Sequence, residues 1–380
     1  MFFSSKVSNN ALSGAVSEKR KGFLAYKSAL CNVICLLGLL IGCSSPNVKL
    51  VSTELSDAYY DPDAYFLESV RYNKIITAIK FIEEGYVDVN IKDSYKWTAL
   101  MYAARNGYIG LAEYLISKGA EINATDSYGA NALSIALENG QVEFAGLILE
   151  HNPDLTITDV NGYTSLMKAV YWQYTDLVPI IIAQGATIEQ RNYEGTTALL
   201  IAANNNSLEL ITLLLDNGAN PNQVDRVGRS ALHYAAENQN VKITSQLLKS
   251  GADPNLRDRQ GQTPLMISVY WGNREIIALH IDGGANLNNK DLNGLTALMI
   301  TIQYNYENIS QELIAKGADM NIQDDFGQTA LMMALDNKLH AIAKFLIKMG
   351  ANVTVKDEKG KTALDRAKER GYSDLVNLMQ

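Results

Sequence analysis

The feature that most constrains this chain is a leucine that returns every 33 residues over most of the sequence. Seven residues before each leucine lies an aspartate, or once an asparagine. Three residues after that position lies a glycine, with Lys96 as the exception. A strict period of this length indicates stacked copies of one small unit, because each unit needs its neighbours to bury its apolar face. The leucines are Leu100, Leu133, Leu166, Leu199, Leu232, Leu265, Leu298, Leu331 and Leu364.

Each unit carries the local signals of two short helices. The segment TALMYAARNG, residues 98–107, opens with a threonine suited to capping a helix and ends at a glycine suited to stopping one. The segment LAEYLISKGA, residues 111–120, has apolar residues at helical spacing. The Asp-x-x-Gly sequence between units is typical of a turn, with glycine where a positive φ is needed. We therefore expect a helical pair and a turn in every unit.

The units resemble the ankyrin repeat family, through Thr-Ala-Leu or Thr-Pro-Leu at the leucine and endings such as GADPN. The resemblance covers residues 93–380 in nine units, numbered here 1 to 9 in chain order. It implies an all-α solenoid in which each unit contributes a helix-turn-helix and a β-hairpin-like loop. The aspartate column then has a structural role, through capping and hydrogen bonds between loops.

One departure from the family lies directly after the leucine, where the family has a histidine that bonds neighbouring loops. Here His233 alone keeps that histidine. The resemblance implies that flexible apolar packing replaces its hydrogen bond in most other units. Methionine takes the position at Met101, Met167, Met266, Met299 and Met332.

The two ends of the array differ from its middle. Residues 57–92 fit the two helices of a degenerate unit with no hairpin before it, and the last unit has a polar first helix. Solenoids need such ends because an outermost repeat otherwise exposes its apolar surface. We predict an N-terminal capping repeat at 57–92 and nine repeats at 93–380, the last one a C-terminal cap, with no second domain.

His280 is a polar residue at a position that is apolar in the neighbouring repeats. It occupies a column that otherwise holds leucine or isoleucine, as at Leu247 and Leu313. Two interpretations stay open, namely a locally distorted sixth repeat and a buried pH-sensitive site.

The N-terminus reads as an export signal. Lys19, Arg20, Lys21 and Lys27 precede an apolar run at residues 28–42 that is shorter than the roughly 20 residues of a spanning helix. This order predicts a signal peptide over residues 1–42. The three cysteines, Cys31, Cys35 and Cys43, all lie in the first 43 residues, so the repeats can hold no disulfide or cysteine-ligated zinc. A cysteine-free body also suits export.

The run ends in Leu40-Ile41-Gly42-Cys43, which resembles the lipobox of bacterial lipoproteins. The resemblance implies acyl chains on Cys43 after cleavage, a short tether over residues 43–56 and a membrane-anchored chain facing the periplasm. Ser44, where the family's inner-membrane retention signal would be aspartate, favours the outer membrane. Three alternatives stay open: a short uncleaved membrane helix, a cytoplasmic protein with a fortuitous apolar start, and a later translation start at Val16 or Leu24.

Charge and residue types exclude several classes of function. Net charge is −8 and the repeats carry no basic block, which argues against nucleic acid as a partner. The four histidines, His151, His233, His280 and His340, occupy four different repeats and four different columns. Because they cannot converge, we expect no metal site, no cofactor and no enzyme activity. We expect a monomer.

The candidate binding surface lies where the repeats vary. Five and six residues after the leucine, the units are polar except for Tyr171-Trp172, Tyr270-Trp271 and Tyr304. Exposed tryptophan and tyrosine are typical of binding hot spots, although such rings can also pack between repeats. With the hairpin tips, the predicted partner-binding residues are Tyr95, Trp97, Tyr128, Tyr163, Tyr171, Trp172, Tyr193, Tyr270, Trp271, Tyr304 and Phe326.

These expectations combine into a lipid-anchored, non-enzymatic scaffold at the bacterial envelope. It would bind a protein of unknown identity through the hairpin tips and the concave first helices. Three alternatives stay open: regulation or protection of a periplasmic enzyme, glycan or peptidoglycan binding through the surface aromatics, and delivery to a host as an effector.

Overall fold

A computed structural model of the chain describes residues 61–380. The predicted signal peptide at 1–42, Cys43, the tether to residue 56 and residues 57–60 of the predicted cap lie outside the described residues.

Within residues 61–380 the chain forms twenty α-helices and no strand, which confirms the all-α solenoid. Its predicted β-hairpin-like loops contain one isolated antiparallel bridge, between Thr158 and Thr164. The helices are α1 (Pro62–Arg71), α2 (Ile75–Glu83), α3 (Ala99–Asn106), α4 (Ile109–Ser117), α5 (Ala132–Glu138), α6 (Val142–Glu150), α7 (Ser165–Tyr171), α8 (Val178–Ala183), α9 (Ala198–Asn204), α10 (Leu208–Asp216), α11 (Ala231–Glu237), α12 (Val241–Lys249), α13 (Pro264–Trp271), α14 (Arg274–Asp282), α15 (Ala297–Gln303), α16 (Glu307–Ala315), α17 (Ala330–Asp336), α18 (His340–Lys348), α19 (Ala363–Glu369) and α20 (Ser373–Met379).

The first helix starts at a side-chain cap in eight of the nine repeats, the exception being repeat 5, where Ser230 makes no such bond. Thr98 accepts a hydrogen bond at Oγ1 from the Met101 N–H at 3.3 Å, which satisfies one of the free N–H groups at the start of α3. Gly107 then ends α3 with φ of 72°, a left-handed conformation that costs glycine little. Thr164, Thr197 and Thr263 cap their helices in the same way.

The aspartate column builds the loop between repeats. Asp126 Oδ1 accepts from the N–H groups of Tyr128 and Ala130 at 2.8 and 2.9 Å, and the corresponding side chain makes the same pair of bonds in all nine repeats. Gly129 turns the chain at φ of 76°, and a Cβ there would lie 2.8 Å from the Thr158 carbonyl oxygen. Lys96 takes the same conformation at φ of 62°, a strain of about 1 kcal/mol for a residue with a side chain.

Side-chain hydrogen bonds between neighbouring loops are made by residues other than the aspartates of the repeated column. Asn222 donates from Nδ2 to the Gly251 carbonyl at 3.1 Å and accepts at Oδ1 from the Asp253 N–H at 2.7 Å. Asn90 and Asn255 each make the same pair of bonds to the repeat that follows them. The expected capping role of the aspartates is therefore confirmed, whereas asparagines near the ends of the repeats join the loops.

The core lies between the two helix layers and runs along the array. Eight of the nine anchor leucines and the five methionines beside them are at most 2% exposed, as the apolar-packing interpretation requires, whereas Leu364 in the last repeat is partly exposed. His233 is fully buried and its Nε2 lies 3.2 Å from the Gln262 carbonyl oxygen in the next repeat. The one retained histidine thus bridges neighbouring loops.

Candidate partner-binding surface

The sequence Val-Tyr-Trp occurs twice at the end of a first helix, at residues 170–172 and 269–271. In α7, Val170 is fully buried, while Tyr171 and the C-cap residue Trp172 are each 48% exposed. Successive helical residues point about 100° apart, so one valine fills the core and the two rings turn outward. The second copy repeats this arrangement, with Tyr270 46% and Trp271 48% exposed after a buried valine.

Each pair holds its rings in a fixed mutual orientation. The Tyr171 and Trp172 centroids lie 5.1 Å apart with 86° between the ring planes, and the Tyr270 and Trp271 centroids lie 5.3 Å apart at the same angle. Edge-to-face contacts of this kind are favourable and limit ring motion. The chain therefore presents the same aromatic shape twice, three repeats apart.

Amide side chains occupy the equivalent position between the two pairs. Asn205 donates from Nδ2 to the Tyr171 carbonyl at 2.9 Å, and Asn238 donates to the Ala203 carbonyl at 3.1 Å. Both bonds close the end of the preceding repeat's first helix, where carbonyls lack helical partners. The first aromatic pair is thereby fixed to the repeat that follows it.

The second pair belongs to a larger aromatic cluster. The Tyr304 centroid lies 5.0 Å from that of Tyr270, and Tyr306 stacks on Tyr304 at 5.9 Å. Burial and a hydrogen bond with Tyr270 raise the pKa of the Tyr304 hydroxyl. Tyr306 donates to the Tyr270 carbonyl at 3.4 Å, so it supports the cluster from the start of α16. Tyr306 was not among the predicted site residues.

Trp97 and Tyr163 differ from the other predicted residues because they are only partly exposed and pack against the core. Trp97 lies 5.0 Å from Tyr102, and the Arg105 guanidinium carbon lies 5.9 Å from its ring centroid. Of the three tryptophans among the predicted partner-binding residues, Trp172 and Trp271 are exposed and Trp97 is half-buried. Burial raises the pKa of the Tyr163 hydroxyl, and the Glu194 carboxylate adds to this.

Trp97 lines two open cavities at the N-terminal part of the face. One has a volume of about 400 Å³ and is bounded by Trp97, Arg105, Tyr128, Glu138 and Lys168 among others. The other, of about 380 Å³, is bounded by Arg71, Tyr95 and Tyr102, again with Trp97 and Arg105. Trp97 therefore forms a wall of this surface more than a protruding contact.

The hairpin tips form an exposed apolar ridge. Tyr95, Tyr128, Tyr193 and Phe326 are 58–64% exposed, as predicted for contact residues. Leu292 at 66% and Val160 at 52% are also exposed in these loops, and they are absent from the predicted set because that set contains aromatic residues alone. Backbone hydrogen bonds join the loops that carry the ridge. The Val160 N–H donates to the Tyr128 carbonyl at 2.8 Å, and equivalent bonds link the other tips.

Tyr72 extends the exposed aromatic column toward the N-terminus. It is the C-cap of α1, as Trp172 is of α7, and it is 58% exposed. The step from this unit to repeat 1 is one residue longer than the 33-residue period, so Tyr72 does not fall in the column of Trp172 when the sequence is aligned by the period.

The charged side chains near the ends of the first helices and in the adjoining loops are largely paired within the protein. Glu138 and Asp159 share Lys168, whose side chain is 5% exposed. Arg229 lies 2.7 Å from Glu237, and Lys361 lies 2.8 Å from Glu369. The rings therefore stand among compensated charges and amides, which favours contact with an uncharged surface.

No group of three or more His, Cys, Asp or Glu side chains in residues 61–380 could hold a metal ion. No helix in the same range is long and apolar enough to cross a membrane. His340 packs on Tyr372 at 4.3 Å, away from the other three histidines in the sequence.

Comparison with known proteins supports the same architecture. A family model described as "Ankyrin repeats (3 copies)" matches in five overlapping segments, 69–126, 123–192, 166–258, 247–324 and 298–380. No curated protein matches the chain. Because the matches together run from residue 69 to residue 380, this protein belongs to the ankyrin repeat family.

Proposed function

We propose that this protein is a lipid-anchored, non-enzymatic scaffold that binds a partner protein at the bacterial envelope. Ankyrin repeats indicate protein–protein interaction as the general role. The observation that carries the finer proposal is the repeated Tyr–Trp pair, with near-identical ring geometry in repeats 3 and 6. A well-packed central aromatic in an interface contributes about 2 kcal/mol or more.

The surface around the pairs supports a protein partner with an uncharged contact region. The acids at the ends of the first helices are matched by Lys168, Arg229 and Lys361, so electrostatic steering would add little. The exposed ridge at the hairpin tips, with Phe326 64% exposed, supplies further apolar contact. Binding through this surface should therefore depend only weakly on salt.

The anchor is proposed from the N-terminal sequence. The apolar run at 28–42 followed by Cys43 resembles a lipoprotein signal, and Ser44 favours the outer membrane. Two or more acyl chains give stable membrane attachment, whereas one chain gives marginal attachment.

The test is co-purification from membranes. Full-length protein carrying Trp172→Ala and Trp271→Ala should lose the envelope proteins that the wild type retains. Met349→Ala is the matched control, because Met349 is also 48% exposed but lies at the end of a second helix. An unchanged set of retained proteins in the double variant would refute this binding face.

Glycan binding is the second candidate, because exposed rings beside amides also suit sugars. Quenching of tryptophan fluorescence by peptidoglycan fragments, with no effect of glycan-free envelope protein extracts, would favour it over a protein partner.

A further inference from the structure

Polar residues in the inner core concentrate in repeats 5 to 7. Three columns, at 3, 12 and 15 residues after the anchor leucine, hold Ala, Val, Ile, Leu or Met in the other repeats. In repeats 5 to 7 they contain five polar residues, each at most 1% exposed: Thr244, Ser268, His280, Thr301 and Ser310.

The apolar core divides at the same place. One cluster of buried apolar residues runs from Phe66 to Leu247 and Ala252, and a second runs from Leu265 to Leu375. Helices α11 and α13 still pack side by side across this boundary, so the division comes from side-chain chemistry. We call this boundary between repeats 5 and 6 the seam.

His280 differs from the other polar residues because its hydrogen-bonding groups have no partners. Thr244 donates to the Asn240 carbonyl and Ser268 to the Pro264 carbonyl, both at 2.9 Å. His280 is fully buried, and neither ring nitrogen has a hydrogen-bond partner among the described residues. A buried donor and acceptor left unsatisfied favour any opening that lets water reach them.

No counter-charge reaches His280 from the helices around it. His233 on α11 is the titratable group that acts on it, and it opposes a positive charge there. On α14, Arg274 and Asp282 pair with Glu312 and Lys316 of α16, and Glu275 is exposed. Helix α13 carries the exposed Tyr270, and α12 carries the exposed Lys242 and Lys249. A proton on His280 would therefore be an unpaired buried charge.

We propose that repeats 1–5 and 6–9 are two cooperative folding blocks, and that protonation of His280 opens the seam between them. Neighbouring repeats stabilise one another through their interfaces, so the weakest interface sets where an array divides. This inference concerns the solenoid and holds whether or not the aromatic face binds a partner.

The direction of the pH effect follows from where the proton is bound. Burial, followed by the influence of His233, lowers the pKa of His280 to about 4, against about 6.5 when the ring is exposed to water. Between these values the open form binds a proton that the closed form does not, so stability falls as the pH falls from 6.5 towards 4. At pH 5 the equilibrium constant for opening should be about 25-fold higher than at pH 7.5.

The seam lies between the two Tyr–Trp pairs, since Trp172 belongs to the first block and Trp271 to the second. Opening would change the separation of the pairs while leaving each pair intact. It would also allow each tryptophan to report on its own block.

The experiment is urea unfolding of the full-length protein at pH 7.5 and pH 5, followed by fluorescence of single-tryptophan forms. One form carries Trp97→Phe and Trp271→Phe, and the other carries Trp97→Phe and Trp172→Phe. The two transition midpoints should lie further apart at pH 5 than at pH 7.5. Coincident midpoints at both pH values would overturn the two-block proposal.

His280→Leu, made in both reporter forms, separates the histidine from the rest of the seam. Leucine occupies this column at Leu247 and Leu313, so it should remove most of the added separation at pH 5. His151→Gln, at an exposed histidine whose column holds Gln184, should leave the separation unchanged. If His280→Leu kept the full separation at pH 5, His280 would not be the switch.

Discussion

Lys168 Nζ lies 2.7 Å from Asp159 Oδ2 in repeat 3, although only 5% of the lysine side chain is exposed. Glu138 of repeat 2 contacts the same ammonium group. Burial alone would raise the pKa of Asp159, but the hydrogen bond and charge of Lys168, together with two backbone N–H groups, hold it below its usual range. An ion pair therefore joins two repeats beside the aromatic face.

Replacing Lys168 by isoleucine should cost about 2 kcal/mol of unfolding free energy at pH 7, because a partly buried carboxylate loses its charged partner. Isoleucine fills this column in the repeats on both sides, at Ile135 and Ile201, so packing should be preserved. Asp159 has a depressed pKa in the folded state, so the contribution is present above pH 4 and is lost as the pH falls through the folded pKa.

Urea unfolding at pH 7 and pH 3 measures this contribution. The difference between wild type and Lys168→Ile should shrink at pH 3. A difference of the same size at both pH values would mean that the substitution disturbed packing and not the ion pair.

A substitution at the position equivalent to Lys168 in repeat 6 should give a buried carboxylate oxygen a hydrogen-bond partner. Tyr234 donates to Asp225 Oδ2 at 2.6 Å in repeat 5, whereas Asp258 Oδ2 in repeat 6 is buried with no hydrogen-bond partner in the described part of the chain, and Ile267 takes the place of the tyrosine. Ile267→Tyr should therefore raise the unfolding free energy by about 1 kcal/mol, and Tyr234→Phe should lower it by 1 to 2 kcal/mol, that is, by roughly the contribution of one hydrogen bond to a charged group.

The urea midpoint of each variant checks this pair of expectations at pH 7. The prediction requires Ile267→Tyr to raise the midpoint and Tyr234→Phe to lower it. If both substitutions destabilised the protein, the second oxygen of the aspartate would not control stability at this position.

The sequence predicts well whatever depends only on position within the period. Leu100 and Leu133 lie in the column that the period places in the core, and both are at most 1% exposed, while Leu364 in the C-terminal cap is partly exposed. Trp172 and Trp271 were assigned to the surface because their column is polar in most repeats, and both are about half exposed. Position within the repeat was therefore sufficient to predict the burial or exposure of the two buried leucines and the two tryptophans.

The sequence predicts poorly whatever depends on neighbours in three dimensions. Trp97 lies at a hairpin tip by position, but Tyr102 and Arg105 of the following helix cover it. Tyr306 lies in the column that starts the second helix, so no surface pattern identified it, although it stacks on Tyr304. The missing partners of His280 could not be read from the sequence either, because they depend on which groups surround the ring.

The proposed lipid anchor predicts a change in mass and in membrane partition that depends on the Cys43 thiol. Cys43→Ala should remove the mass of the acyl chains and move the protein from the membrane to the soluble or precursor fraction, since each buried CH₂ contributes about 0.8 kcal/mol to membrane binding. Mass spectrometry and detergent phase partition measure both effects. Cys31→Ala is the matched control within the predicted signal peptide. A wild-type mass equal to that of the whole unmodified chain would instead indicate an uncleaved membrane helix.

Removal of one repeat tests whether the two Tyr–Trp pairs hold one partner together. The pairs lie three repeats apart, a span of about 25–30 Å at the usual spacing of packed helices, which eight or nine extended residues could bridge at about 3.3 Å each. Deleting residues 192–224 removes repeat 4 in register, leaves both pairs intact and brings them one repeat closer. If one partner segment contacts both pairs, binding to the retained envelope protein should weaken by about tenfold or more, because simultaneous engagement depends on matched spacing.

Deleting residues 324–356 is the matched control, since it removes repeat 8 and also 33 residues without changing the spacing of the pairs. Circular dichroism should confirm that both shortened chains fold before affinities are compared. Equal affinities of the two deletions would indicate that each pair binds independently, because a partner that spans repeats 3 to 6 cannot be indifferent to the distance between Trp172 and Trp271.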